Sequence, residues 1–433
     1  MHEKKMNVFQ LTVVTIINMM GSGIVLLPAN LAEVGTISVL SWVITFAGAM
    51  ALAYAFSKAG LYTTNQDGMG GYAQYAYGKS GAFLANYTYG ISLLIADAAI
   101  AISVMGYIAV LFNWHLDPLQ IALGTIALLW FGTVLNFGGA RMTGDLSIFN
   151  ILGIIVPIVV LSIVGWFYFS SARFIGAWDP HNYSIFKGVS KSIPITLWGF
   201  MGLETAPANM NVAKHPKHDV PIAVVCGTIG SAILYVASTN VIMGITPLGK
   251  LANSNAPFGL VFSEMFSPIV GKIVMAVMII SCFGSLLDGQ CTIADVFKAS
   301  SYAGYFPKIF RETIRNGSPI IGMFITTGLQ TLLALMTISP TLSRQFSILV
   351  NLAVVTNVVP YILSMGTLNS MQIIERAPIR KRTFTNAIAF IASMYCLYAL
   401  YTTGPVALMC GALVTFAGWP LYGLISHRFV NLY

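Results

Sequence analysis

Apolar segments about twenty residues long recur along this chain of 433 residues, and they constrain its fold more than any other feature. A helix that crosses a bilayer needs ~20 consecutive, mainly apolar residues. Charged residues make up only 8% of the sequence, whereas a typical soluble domain has about 25%. Because helices satisfy their backbone hydrogen bonds within one segment, the pattern predicts an all-α, multi-pass membrane protein.

The segments of sufficient length predict a single transmembrane domain over residues 1–433. The loops between the segments are short, and they leave no room for a catalytic domain outside the membrane. The predicted spans are twelve, at residues 8–32, 36–56, 81–111, 119–137, 149–170, 192–211, 221–246, 270–298, 319–338, 345–370, 384–402 and 405–426.

The basic residues predict the orientation of the chain. The net charge is +8, but Lys and Arg are scattered over short loops, which favours a membrane protein over a nucleic-acid partner. Sixteen of the 22 Lys and Arg residues fall on one side of the predicted membrane. By the positive-inside rule that side, which carries both termini, is cytoplasmic. The six on the other side are Arg173, Lys187, Lys191, Lys250, Lys272 and Arg344.

Two glycine-containing breaks interrupt apolar segments about 180 residues apart. The first is Gly21-Ser22-Gly23 and the second is the run Gly199–Glu204. A broken helix frees backbone groups that lipid cannot satisfy, so such breaks persist where they line a protected cavity. Matching breaks in two halves are typical of a secondary transporter's substrate site, although small residues for helix packing are the alternative for the first. The predicted inverted repeats are about 8–170 and 192–370, with two appended spans at 384–426.

Four acidic residues fall inside the predicted spans, and no Lys or Arg lies well inside any of them. Each buried carboxylate costs ~2.5–3.5 kcal/mol on insertion scales, so each needs a partner. Without an internal cation, the expected counter-charge is a cationic substrate or a proton. Asp97, Glu204 and Asp288 are therefore candidate functional residues, whereas Asp295, near the end of its span, is assigned to a water-filled vestibule.

Two aromatic residues lie beside these carboxylates. Trp198 immediately precedes the second break, and Tyr89 lies two helical turns before Asp97, so both can face one side. Aromatic rings beside carboxylates favour an ammonium group through cation–π attraction and charge. The first break, by contrast, offers free N–H groups and the positive end of a half-helix to a carboxylate. Together these features predict a site for an amino acid with a cationic side chain.

Five motifs resemble the amino acid–polyamine–organocation transporters, and among them the bacterial antiporters that exchange a basic amino acid for its decarboxylated amine. The putrescine–ornithine group is the most similar, and the arginine–agmatine and lysine–cadaverine groups are more distant. The resemblance implies the LeuT-like fold of twelve spans, with a five-plus-five inverted repeat, broken helices 1 and 6, and alternating access. The motifs are NMMGSGIVLLPANLAEVGTIS from Asn18, GGARMTG from Gly138, TLWGFMGLETA from Thr196, YFPKIF from Tyr305 and NLAVVTNVVPYILSMG from Asn351.

The resemblance also implies roles for single residues. Gly21-Ser22-Gly23 matches the carboxylate-binding break of the family, and Trp198 matches the aromatic residue at its central site. Glu204 matches the acidic gating or proton-linked residue. Tyr89 matches an aromatic residue of span 3, and Tyr422 matches a span-12 tyrosine that the putrescine–ornithine group uses.

Five positions depart from the putrescine–ornithine pattern. Gln74 stands in place of a glutamate, Ala59 replaces a cysteine, and Gly289 replaces a tryptophan of the binding site. Asp97 replaces an asparagine, and Asp288 replaces a glycine. The lost tryptophan provides volume and the two carboxylates add negative charge. Histidine–histamine exchange is therefore an alternative to the putrescine–ornithine pair.

The main functional hypothesis is an antiporter in a bacterial inner membrane that imports an amino acid and exports its decarboxylated amine. A proton-coupled uptake symporter of the same fold is the alternative, since a protonatable Glu204 suits either. An enzyme or a channel is disfavoured, because the six histidines lie in loops or tails and no filter-like repeat accompanies the breaks. We expect no cofactor and no metal. The expected partners are small-molecule substrates, the lipid bilayer, a cytosolic decarboxylase and a second copy of the chain in a homodimer.

Overall fold

The structure, a computed structural model, describes residues 5–63, 68–138, 140–208, 213–313, 317–339 and 341–427. Within these ranges the chain forms seventeen α-helices and no extended strand. The first nine are α1 (Val8–Met20), α2 (Leu27–Val34), α3 (Val39–Tyr62), α4 (Gly68–Leu111), α5 (Pro118–Asn136), α6 (Ala140–Val164), α7 (Ser171–Gly176), α8 (Ile185–Trp198) and α9 (Thr205–Ala208). The others are α10 (Pro216–Ile245), α11 (Leu248–Ala252), α12 (Pro257–Met265), α13 (Pro268–Tyr302), α14 (Ile320–Met336), α15 (Leu342–Ile374), α16 (Ile379–Thr402) and α17 (Pro405–Ile425).

The helices confirm an all-α membrane protein. Eight of the described helices are long and apolar enough to cross a bilayer, namely α3, α4, α5, α10, α13, α15, α16 and α17. Three shorter apolar helices, Val8–Met20, Leu152–Tyr168 and Ile320–Met336, fall on the first, fifth and ninth predicted spans. The sixth predicted span is divided between α8 and α9. Every predicted span therefore coincides with a helix or a broken helix, while the number of membrane crossings stays a prediction.

The central helices are α4 and α15, which pack along each other, and α4 also packs along α13. In the most apolar stretch of α4, 72% of the residues are buried, whereas in that of α17 only 11% are buried. Large apolar side chains such as Phe416 and Leu424 are exposed on α17. In a membrane protein such side chains contact lipid, so α17 lies at the periphery and α4 in the core.

The sequence predicts a loop over residues 57–80, but the described residues of this range are largely helical. Helix α3 continues to Tyr62, and α4 begins at Gly68. The long α4 consists of two helices joined at a kink at Gly78, where φ is 61°. The predicted span at 81–111 therefore corresponds to the part of α4 after the kink. The glycine-rich composition of the first part conceals its helical structure, because glycine is a poor helix former.

Both predicted breaks are present, and they meet in the core. Helix α1 ends at Met20, a short 3₁₀ turn covers Ser22–Ile24, and α2 begins at Leu27. Turns separate α8 from α9. The buried hydroxyl of Tyr235 lies 2.8 Å from the carbonyl oxygen of Met19 and 2.5 Å from that of Gly199. This single donor therefore holds the carbonyl ends of α1 and α8 together.

Glycine is required where the two breaks touch. Gly202 has φ of 104°, and a Cβ atom there would lie 2.7 Å from the carbonyl oxygen of Asn18. A Cβ atom on Gly23 would lie 2.9 Å from Nε1 of Trp198. Both distances are shorter than a van der Waals contact, so a side chain at either position would push the two breaks apart.

Candidate functional site

A cavity of about 680 Å³ lies at the junction of the two breaks. Its described lining contains four carboxyl groups and no Lys, Arg or His, so no basic side chain in that lining balances their charge. Seven of the nine residues that the sequence predicts for the site lie in this lining. They are Gly21, Gly23, Tyr89, Asp97, Trp198, Glu204 and Asp288.

The Glu204 carboxylate is held by three donors from three parts of the chain. The Tyr89 hydroxyl donates to Oε1 at 3.0 Å, and the Tyr361 hydroxyl donates to Oε2 at 2.5 Å. The backbone N–H of Gly202 also donates to Oε2, at 3.0 Å. Glu204 is only 3% exposed, so these bonds replace its hydration. The carboxylate therefore ties the second break to α4 and α15, and a proton on it would weaken that connection.

Trp198 closes one side of the cavity. Its Nε1 donates to the carbonyl oxygen of Gly23 at 3.2 Å. Its ring contacts Phe346 edge-on, with the centroids 6.3 Å apart. A second cavity of about 1030 Å³ is lined by Pro194, one turn earlier on α8, and by Ser347, next to Phe346. The Trp198–Phe346 pair therefore stands between the two cavities.

The other side of the first cavity is open along α13. This side of the cavity is lined, at helical spacing, by Asp288, Thr292 and Asp295. Asp288 is half-buried, whereas Asp295 is exposed, so the lining becomes more accessible toward the C-terminal end of α13. The placement of Asp295 agrees with the predicted vestibule.

Asp97 lies on α4, opposite the acidic residues of α13, and Gly289 of α13 faces Asp97. Gln330 Nε2 donates to Oδ2 of Asp97 at 2.8 Å. Tyr89 and Asp97 both line the cavity, as their spacing on one helix predicts. The carboxylates of Glu204 and Asp97 thus occupy separate regions of the same wall, since eight residues of α4 correspond to ~12 Å along its axis.

Two predicted site residues are not placed in the cavity. The ring of Tyr422 packs against Phe83, with centroids 5.5 Å apart, in a cluster of aromatic residues. The physical reason is that α17 packs on the outer side of α4 and α15. The backbone of Ser22 belongs to the turn of the first break, while its side chain lies outside the described residues, as do those of 140–151, Ala206 and Ala208.

Three residues of the site were missed by the sequence analysis. Tyr361 bonds to Glu204, Gln330 bonds to Asp97, and Tyr235 joins the two breaks. Gln330 carries a weak signal, because an amide in the middle of an apolar helix needs a partner. The tyrosines carry none, since the chain has 19 of them and most spans contain one.

The fold and the cavity define a secondary transporter, and the sequence profile of the amino acid permease family matches residues 6–423. The chain belongs to this family. This match confirms the predicted family and the prediction that the protein is a transporter rather than an enzyme.

Three individual relatives are similar to the chain over most of its length. The putrescine transporter PotE of Escherichia coli K12 is 55% identical over 425 residues, which cover 98% of this chain and 97% of that protein. The putrescine transporter PotE of Haemophilus influenzae is 53% identical, with 98% of each chain covered. The cadaverine/lysine antiporter of Escherichia coli K12 is 31% identical over 403 residues, or 92% of this chain and 89% of that protein.

Proposed function

We propose that this chain is a secondary antiporter of a bacterial inner membrane, which imports an amino acid and exports its decarboxylated amine by alternating access. One observation carries the proposal: four carboxylates, and no Lys, Arg or His among the described residues, line the cavity where the two breaks meet. Two of the four, Asp97 and Glu204, are buried, and a buried carboxylate needs a cation or a proton. An amine substrate provides the cation.

Each part of the substrate has a matching part of the cavity. Helix α2 begins at Leu27, and its N-cap residue Leu26 provides no side-chain cap, so the N-terminal N–H groups and positive dipole end that follow Gly21-Ser22-Gly23 suit a carboxylate. The negative ends of α1 and α8 suit an ammonium group, which can also stack on Trp198. Asp97 and Asp288 balance the remaining charge of a cationic side chain or an amine.

The names of the relatives support a particular pair. Putrescine transporters are 53% and 55% identical to this chain, which favours putrescine as the amine and ornithine as the amino acid. The antiporter at 31% identity supports exchange as the mechanism. Histidine–histamine and lysine–cadaverine are the alternative pairs.

Exchange of such a pair is electrogenic. The outgoing amine lacks the carboxylate of the incoming amino acid, so each cycle moves one positive charge outward. An inside-negative potential of 100 mV opposes this by ~2.3 kcal/mol. A cytosolic decarboxylase offsets the opposition, because it keeps the internal amino acid low and the internal amine high. The decarboxylation consumes a cytosolic proton, which would serve acid resistance.

The orientation follows from the basic residues, sixteen of which fall on the side of the N terminus. With both termini in the cytoplasm, the cavity opens inward and Trp198 closes its outward side. A fluorescent protein fused to the C terminus should therefore fluoresce in the cytoplasm, and a fusion that reaches the periplasm would contradict the orientation.

Liposomes containing the purified protein test the exchange. Vesicles are loaded with unlabelled putrescine, histamine, cadaverine or agmatine, or are left empty, and the uptake of labelled ornithine, histidine, lysine and arginine is followed. Uptake only into vesicles with the matching amine is the expected result, and it identifies the pair. Equal uptake into empty and loaded vesicles would contradict exchange.

Proton-coupled uptake is the second candidate function. The relatives with 53% and 55% identity are named as transporters, and their names specify no exchange partner. Glu204 is a buried carboxylate between two phenols, and such a group can bind a proton. Uptake into empty vesicles under an imposed proton gradient would favour this function over the antiporter.

A further inference from the structure

Four basic residues lie close together where α16 begins. They are Arg376, Arg380, Lys381 and Arg382, and the sequence from 376 to the end of α16 contains no Asp or Glu. The one neighbouring acidic residue is Glu375, which precedes them. In the proposed orientation this end of α16 faces the cytoplasm. The chain therefore places a strongly positive surface at the level where lipid headgroups of the inner leaflet lie.

Helix α3 packs antiparallel to α16 and adds a further basic residue. The ring of Tyr395 packs against Gly48. Further along α3, the ring of Tyr54 contacts Phe384 edge-on, with the centroids 5.8 Å apart. Because the later residue of α3 pairs with the earlier residue of α16, the two helices run in opposite directions. The Nζ of Lys58 lies over the Tyr54 ring, 5.2 Å from its centroid.

The antiparallel packing brings basic side chains of both helices to one place. Lys58 follows Tyr54 by four residues, and residues at this spacing share a face of a helix. Arg380 and Lys381 precede Phe384 by four and three residues, so they share its face in the same way. All three basic residues therefore lie about one turn beyond the contact between the two rings. We call these five residues the α3–α16 groove.

The described residues leave this positive charge uncompensated. The ion pairs of the described chain include none of Lys58, Arg380 and Lys381. The buried Nε of Arg382 has no hydrogen-bond partner among the described residues. Helix α16 begins after Pro378, which provides no side-chain cap, so its first N–H groups and positive dipole end point to the same region. The ligand that fits is an anion with several acceptor oxygens, such as a phosphate.

An apolar surface continues from the groove toward the centre of the membrane. On α16, Phe384 is exposed, and Ile391 is exposed two turns further along the same face. On α3, Val43 is exposed three turns before Tyr54. A soluble anion would leave these side chains uncovered, whereas the acyl chain of a lipid would cover them. The phosphate therefore belongs to a phospholipid.

We propose that Lys58, Arg380 and Lys381 bind the phosphate of an anionic phospholipid, whose acyl chain lies along Phe384 in the α3–α16 groove. The argument is charge complementarity. Phosphatidylglycerol carries only the negative phosphate, whereas the headgroup of phosphatidylcholine also carries a positive charge that the basic residues repel. Each Lys or Arg near an anionic lipid surface raises the affinity about fivefold. The site therefore selects phosphatidylglycerol, whichever substrate the protein transports.

Native mass spectrometry of the purified full-length protein tests the site. The protein, in a nonionic detergent, is titrated with dioleoyl phosphatidylglycerol or with dioleoyl phosphatidylcholine, and the affinities for the first bound lipid are compared. The wild-type protein should bind phosphatidylglycerol at least about tenfold more tightly. Lys58→Gln and Arg380→Gln should each lower this preference about fivefold, because each removes one of the charges that contact the phosphate.

Three controls accompany the test. Lys308 is exposed in the turn between α13 and α14, on the same proposed side of the membrane but outside the groove. Lys308→Gln loses the same charge and should keep the wild-type preference. Lys58→Arg retains the charge and should keep the preference as well. Glycerol phosphate, which has the headgroup chemistry without acyl chains, should not displace the bound lipid.

Four results would overturn the inference. The first is equal affinity of the wild-type protein for the two lipids. The second is an equal effect of Lys58→Gln, Arg380→Gln and Lys308→Gln, which would indicate attraction to net charge alone. The third is loss of the preference in Lys58→Arg, since packing instead of charge would then be responsible. The fourth is displacement of the lipid by glycerol phosphate, which would indicate a site for a soluble anion.

Discussion

At the scale of single residues, the buried carboxylate of Glu204 lies in a network of hydrogen bonds. It accepts hydrogen bonds from two phenols and one backbone N–H. Its donors come from the protein, so these bonds fix the turn that carries the second break. One oxygen of the Asp97 carboxylate, by contrast, accepts no hydrogen bond from the described residues. The hydrogen bonds of Glu204 are therefore more completely provided by the protein than those of Asp97.

Replacement of Glu204 by glutamine should impair exchange at least about tenfold while leaving membrane insertion intact. The glutamine amide would place its NH₂ group against a phenol or the N–H of Gly202, and one lost bond in a buried network costs ~1–3 kcal/mol. Exchange in liposomes and monodispersity in detergent measure the two effects.

The exposed residue Glu312, between α13 and α14, offers a matched control. Glu312→Gln should exchange at the wild-type rate. Wild-type exchange in Glu204→Gln would count against the assigned role of this carboxylate.

Position in the sequence identified some site residues and not others. Trp198 is predictable because it precedes the second break, Glu204 because it lies in that break, and Asp97 because a carboxylate in an apolar span is conspicuous. Tyr361 could not be found, because its role depends on α15 lying beside the second break. Such a contact joins residues 157 positions apart, and hydropathy contains no information about it.

At the scale of elements, the non-helical segments of the two breaks are in close contact with each other. Helices α1 and α8 end against each other, and the hydroxyl of Tyr235 bonds to their terminal carbonyls. The sequence predicted both breaks from their glycines. It predicted neither the kink at Gly78 nor the helix before it, since the glycines of that segment were equally compatible with a loop.

Replacement of Gly202 by alanine should lower both stability and exchange. The residue has positive φ, and a strained backbone of this kind costs ~1–3 kcal/mol. The Cβ atom would also lie 2.7 Å from the carbonyl oxygen of Asn18. We expect a lower melting temperature and at least a tenfold slower exchange, measured on the same preparation.

Gly423, on the peripheral helix α17, is the matched control. A Cβ atom there would meet no atom within 4 Å, so Gly423→Ala should behave like the wild type. If the two alanine variants were equally active and stable, the contact between the breaks would not limit transport.

At the scale of the whole molecule, the fold positions two cavities on either side of Trp198. The cavity at the breaks is separated from the second cavity by the Trp198–Phe346 contact, an arrangement that fits one state of the proposed alternating-access cycle. The helical segments were predictable because apolar length alone identifies a span. The central position of α4 and the position of Tyr422 outside the cavity were not predictable, because both depend on which helices pack together.

The proposed mechanism exchanges an amino acid for an amine that carries one more positive charge. The most direct test is the equilibrium distribution of putrescine and ornithine across liposomes whose potential is clamped with potassium and valinomycin. At 100 mV, inside negative, the putrescine inside-to-outside ratio should exceed that of ornithine by about fiftyfold, since ~2.3 kcal/mol acts on each cycle. Equal ratios at every potential would contradict this exchange.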